Sequence, residues 1–275
     1  MSEFVLPLET IGEDDVGIAG LIGRDVTLLR VAGIPVPDTF VVSANAYSDM
    51  VDGLGLEERL RAIWGSGNDG PSIVAFAAEA TSEILGRGIG GALRAEISEA
   101  TSGMGTQMVE VILSPVVASY DAAAIAGLGW SASFLPYEAA IDAVVECWAA
   151  IWGKRQIVFR MRVGIEPGSD APWGAAVLVS AAEATPMRGV VVPADAQDND
   201  SWVIRVEPRL PSEQEIAIQK EKTDKTGSPL TAAQAEALTI LADGAAEALG
   251  EPRALRWCFD GNRFLITGLV ASHPI

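Results

Sequence analysis

Apolar residues recur at helical spacing through the first hundred residues, and after Gln107 the pattern turns to short β-branched runs. That switch restricts the chain to a mixed fold of helices and antiparallel strands. Ile18, Leu21, Ile22, Val26, Leu28 and Leu29 predict a helix over 16–33 that ends at Ala32-Gly33. Thr39–Val42 reads as a strand, Ser43 as the N-cap of a helix to about Val51, and helices follow over 55–64, 71–85 and 92–101. The glycine-rich stretch 86–91 has no lysine and follows no strand-like run, so it reads as a helix break.

Beyond Gln107, strands are expected over 108–113 and 125–134. A long helix over 138–163 carries the stripe Ile141, Val144, Val145, Trp148, Ile151 and Trp152, which is core packing and not a cofactor face. Strands over 175–180, 189–192, 201–206, 254–259 and 263–267 then alternate with two capping-box helices, opened by Ser212 and Glu215 and by Thr231 and Gln234. Asp260-Gly261 marks a hairpin turn. The fold class expected is α+β, with a helix-rich first lobe over 1–168 and an antiparallel second lobe over 169–275.

Charge narrows the function. Nineteen Lys and Arg against thirty-seven Asp and Glu give −18, a poor footprint for nucleic acid or for anionic lipid. At 49% hydrophobic residues the chain is too apolar for an acidic disordered protein. Residues 1–7 show no basic region followed by an apolar core, and no run of eighteen uncharged apolar residues occurs, so a cytoplasmic setting is expected. Cys147 and Cys258 are too few for a disulfide framework or a zinc site, and both read as reduced, structural thiols. The single histidine, His273, rules out a His-rich metal site. No Walker-type loop or dinucleotide fingerprint is present. No metal and no cofactor are expected.

Four stretches resemble, in order, the ATP-binding domain that opens phosphoenolpyruvate synthase and pyruvate phosphate dikinase. Residues 23–42, GRDVTLLRVAGIPVPDTFVV, are similar to the family's GGKGANLAEL…GLPVPPGFVV. Residues 109–115, VEVILSP, with Ala126 and Gly127, resemble VAVRSSA…ED…FAGQ. Residues 147–155, CWAAIWGKR, with Phe159 and Arg160, resemble the CWASLF…RAI.YR helix. Residues 250–257, GEPRALRW, with 264–267 and 272–275, resemble G.PQDIEWA…LYILQARPI. The resemblance implies a degenerate ATP-grasp-like fold, with nucleotide held in an interlobe cleft.

The departures matter as much as the matches. Arg24 stands at the family's phosphate-binding lysine, Ile112 at the arginine of VRSSA, and Trp130 at or near the glutamate of GQQET. Arg256 stands at the magnesium-binding glutamate, and Ala271 and His273 at the glutamine and arginine of QARPI. Phosphoryl transfer depends on positioned cations, so losing a metal ligand and a phosphate arginine together weakens it by several kcal/mol. The leading expectation is therefore a repurposed domain that has lost ATP-dependent transfer. It would bind a small apolar metabolite against Ile112 and Trp130 and catalyse a nucleotide-independent cyclisation, cycloaddition or isomerisation. Arg24, Asp121, Arg256 and His273 would orient or protonate the substrate. Two alternatives stay open: a non-catalytic pseudoenzyme with a protein partner or a second copy of itself, and an ATP-dependent phosphotransferase.

Overall fold

A computed structural model describes residues 4–65, 70–116, 131–162, 174–182, 187–195, 198–206 and 230–270. The chain divides into two compact units, Met1–Leu28 with Pro37–Glu183 and Leu29–Val36 with Ala184–Ile275. This differs from the expected division after residue 168. The strand β5 (Ala175–Ala181) is hydrogen-bonded between two strands of the first unit's sheet and cannot be parted from it.

In the first unit, β1 (Val5–Pro7), β2 (Thr39–Val42), β5, β3 (Met108–Pro115) and β4 (Ser131–Pro136) form an antiparallel five-stranded sheet in that order. Every residue from Ala175 to Ser180 on β5 is buried, because both faces of the sheet are covered. Helix α1 (Val16–Val31) lies on one face, where Gly23 approaches Val41 and Leu178. The helices α2 (Ala44–Val51), α3 (Leu56–Gly65), α4 (Gly70–Arg87) and α5 (Gly91–Gly103) follow β2 in the chain, and α6 (Ala140–Ile151) packs on β3, β4 and β5 and against α4 and α5. Nine of the twelve α6 residues are buried, which is why its apolar stripe extends almost around the helix.

The long helix expected over 138–163 is two helices. Beyond α6, Trp152 leaves the helical region (φ −95°, ψ 5°), and the Gly153 amide bonds the carbonyl of Ala150, three residues back. The turn tightens there and the chain restarts as α7 (Lys154–Arg162). The expected break at 86–91 lies between α4 and α5, with Gly88 at φ 60°.

The second unit carries an antiparallel four-stranded sheet, β7 (Asp198–Val206), β6 (Met187–Asp195), β8 (Leu255–Phe259) and β9 (Phe264–Leu269). Helix α8 (Ala232–Leu249) has the expected capping box at Thr231 and Gln234, and stops at Gly250 in the left-handed region. The hairpin at Asp260-Gly261 is fixed by Asp260 Oδ1, which accepts from the amides of Asn262 and Arg263 at 2.8 Å each. On the buried side of this sheet, Trp257 meets Phe264 edge-on at 5.4 Å, and an ideal Cβ built on Gly189 lies 2.9 Å from the Trp257 ring. The helix expected over 212–221 lies outside the described residues.

Candidate functional site

The N-terminal part of α1 is interrupted at Gly20, whose φ of 68° and ψ of 175° break the helix into two segments. A side chain cannot take its place. An ideal Cβ there lies 2.1 Å from the Ser114 carbonyl oxygen and 2.4 Å from its hydroxyl. The break frees backbone groups that an unbroken helix would pair internally, and the fully buried Ser114 at the end of β3 satisfies two of them. Its Oγ accepts from the Gly23 amide at 2.9 Å and donates to the Ala19 carbonyl at 2.7 Å. A strand hydroxyl thus caps the second segment from across the sheet.

This restart positions Arg24 in the first turn of the second segment. Its side chain is 26% exposed and its guanidinium pairs with Asp25, whose side chain is 3% exposed: Nε donates to Oδ1 at 2.6 Å, and the NH2 nitrogen lies 2.5 Å from the same oxygen. A buried carboxylate needs such a partner, and the pair fixes the cation beside a helix start. The arrangement can present a guanidinium to an anion. The sequence signal for it was partial. Arg24 was singled out, but Asp25 and Ser114 were not, although Ser114 stands at the second serine of the VRSSA resemblance.

The other singled-out residues separate. Ile112, on β3, is 6% exposed, opposite Leu178 and Ser131, and packs within the first unit. Arg256, on β8 of the second unit, is half-buried and stands opposite Val190 and Gly268. Asp121, Trp130 and His273 lie outside the described residues. Arg256 and its surroundings do not fit a divalent cation. The position that the sequence resemblance sets against a metal-binding glutamate carries a guanidinium, and among the described residues no three of His, Cys, Asp and Glu gather to hold a metal.

A second polar group is buried in the first unit. Arg160, on α7, is 2% exposed, and burial lowers its guanidinium to about 10, opposed by the nearby Tyr47 and Glu57. It stays charged at neutral pH. Tyr47 is buried on α2, its phenol pushed up by burial, and its hydroxyl accepts from Trp152 Nε1 at 2.8 Å. Tyr47 also meets Trp148 edge-on at 5.9 Å, while Trp148 Nε1 donates to the Ala175 carbonyl at 3.1 Å. These contacts tie α2, α6 and β5 together.

Comparison with known proteins bears on this geometry. Over 171 residues the chain is 30% identical to a protein described as a probable phosphoenolpyruvate synthase of Methanothermobacter thermautotrophicus. The alignment covers 58% of this chain and 25% of that protein, so the chain spans about a quarter of the length of this relative. A family model described as the AMP/ATP-binding domain of pyruvate phosphate dikinase matches residues 18–214. That span contains Gly20, Arg24 and Ser114 and stops short of Arg256. Among the described residues no helix is long and apolar enough to cross a membrane. With more than half of its length matched, the chain belongs to the family of the pyruvate phosphate dikinase AMP/ATP-binding domain.

Proposed function

We propose that the chain binds an adenine nucleotide through the first unit and does not by itself carry out magnesium-dependent phosphoryl transfer. The observation that carries this reading is the glycine-broken α1, with Arg24 fixed by buried Asp25, inside the span matched by an AMP/ATP-binding family model. A guanidinium and a helix start together suit a phosphate. The second half of the reading rests on Arg256: a cation at that place repels a metal ion. Phosphoenolpyruvate synthesis, the activity named for the relative, is not carried over, since the aligned part is 25% of that protein.

The apolar-metabolite reading draws on Ile112 and Trp130. Ile112 is 6% exposed within the first unit and Trp130 lies outside the described residues, so no observation lifts that reading above the nucleotide one.

Thermal unfolding with AMP, ADP and ATP, each with and without magnesium, tests the proposal. At a free concentration about 100 times Kd, binding stabilises by about 2.7 kcal/mol. The expected result is a shift with nucleotide that does not require magnesium and that shrinks in Arg24→Gln. No shift with any of the three at millimolar concentration overturns nucleotide binding. A shift that needs magnesium, with ATP consumed, overturns the second half.

A further inference from the structure

The cation at the restart of α1 carries its own counterion. Asp25 follows Arg24 directly and is 2% exposed. Adjacent side chains on a helix point about 100° apart and do not ordinarily meet. The stem of Arg24 therefore bends back over the helix surface, and Oδ1 of Asp25 takes both Nε and the NH2 nitrogen, at 2.6 and 2.5 Å. Those atoms form the side edge of the guanidinium fork. The outer edge, NH1 with the other NH2 hydrogen, takes no part in this pair and can serve a ligand.

A charge buried to this degree is little screened by salt. Arg24 and Asp25 together are neutral, so Arg24 offers an anion oriented donors with much of its net attraction cancelled. The sheet beside it adds no charge. Val41, Leu178 and Ile112 stand side by side on β2, β5 and β3, all three buried. They lie on the face that Gly23 of α1 approaches, and Ile112 is two residues before Ser114 on that same face. A nucleoside monophosphate can use the outer edge of Arg24 at little electrostatic cost. Each further phosphate adds charge that a neutral pair above an apolar row does not offset, in a chain of net charge −18.

We infer that Asp25 is a specificity-determining residue of this site: its carboxylate offsets the Arg24 charge and makes the site favour AMP over ADP and ATP. This preference presupposes that the first unit binds an adenine nucleotide, and it adds which nucleotide is held and why.

Calorimetric titration of the full chain in EDTA with AMP, ADP and ATP tests the preference, in the parent protein and in two variants. The parent is expected to bind AMP about tenfold tighter than ATP, with ADP between them. Asp25→Asn keeps the size of the side chain and an acceptor oxygen for Arg24 and removes the charge. It is expected to strengthen ATP about tenfold and AMP less than about threefold, so that most of the preference disappears. Asp25→Glu keeps the charge and is expected to keep the preference for AMP. A defect of folding or packing alone would lower all three affinities together and leave their ratios unchanged.

A parent protein that binds ATP in EDTA as tightly as AMP overturns the inference, whether or not the variants fold. So does an AMP-to-ATP ratio that Asp25→Asn leaves unchanged. In both cases nucleotide binding by the first unit stands. If none of the three nucleotides binds at millimolar concentration, the nucleotide reading falls and the preference falls with it.

Discussion

Ser114 fills the space that a side chain at Gly20 would need. Its carbonyl oxygen lies 2.1 Å from an ideal Cβ on Gly20, and its hydroxyl bridges Ala19 and Gly23 across the helix break. The strand and the interrupted helix are therefore one structural unit, and a change in either is felt by Arg24 in the turn that follows.

Ser114→Ala removes both hydrogen bonds and leaves a buried amide and a buried carbonyl, at a cost of about 1–3 kcal/mol. Gly20→Ala adds a backbone penalty at positive φ to a collision with β3, and should cost about 3 kcal/mol or more. Urea unfolding measures both. A Gly20→Ala protein as stable as the parent would mean that the break is not maintained in solution.

Burial raises the Tyr47 phenol above its ordinary 10.0, so the native state holds that proton where the unfolded state releases it. The unfolded chain then binds fewer protons, and the contribution of Tyr47 is present below pH 10 and lost as pH rises beyond it. Arg160, which burial lowers to about 10, acts in the opposite sense above that pH and so works against the Tyr47 trend in the parent protein. Comparison with Tyr47→Phe isolates the phenol. The stability advantage of the parent, about 1–3 kcal/mol at neutral pH from the bond with Trp152, should shrink as pH rises above 10. An advantage that stays constant to pH 11 would contradict the burial of the phenol.

The two cysteines should differ in reactivity. Cys147 is fully buried on α6 and burial raises its thiol well above the ordinary value, whereas Cys258 is partly exposed on β8, and neither forms a disulfide. Thiol titration of the native protein should count one reactive group, rising to two in denaturant. Modification of both at equal rates in the native state would show that α6 opens far more readily than its packing implies.

Two glycines without positive φ should respond oppositely to alanine. At Gly189 the new methyl lies 1.9 Å from the Arg205 carbonyl oxygen and 2.9 Å from the Trp257 ring, so Gly189→Ala should destabilise by about 3 kcal/mol, the upper end for overpacking. At Gly86, inside α4, nothing lies within 4 Å, and Gly86→Ala should stabilise by about 0.5–1 kcal/mol. Thermal unfolding of the pair checks the packing against the backbone effect.

Local chemistry made much of this fold legible. The capping box at Thr231, the N-cap at Ser43, the turn at Asp260-Gly261 and the β-branched strand 39–42 depend on neighbours within a few residues, and each appears at its expected place. The same is true of the break between α4 and α5. The pairing of Arg24 with its immediate neighbour Asp25 is local in the same way.

What the tertiary structure decided involves residues far apart in the chain. Spacing alone could not show that β5 belongs between β2 and β3, because strand pairing is set by which apolar faces are buried together. Nor could it show that Ser114 would cap a helix ninety-one residues earlier, at Gly23. Most elements and many of their ends follow from local sequence, since caps, turns and periodicity act over a few residues, whereas the split of the 138–163 helix at Trp152 does not. Sheet order and register brought distant polar groups together, since those follow from burying each strand against partners that the local sequence does not name.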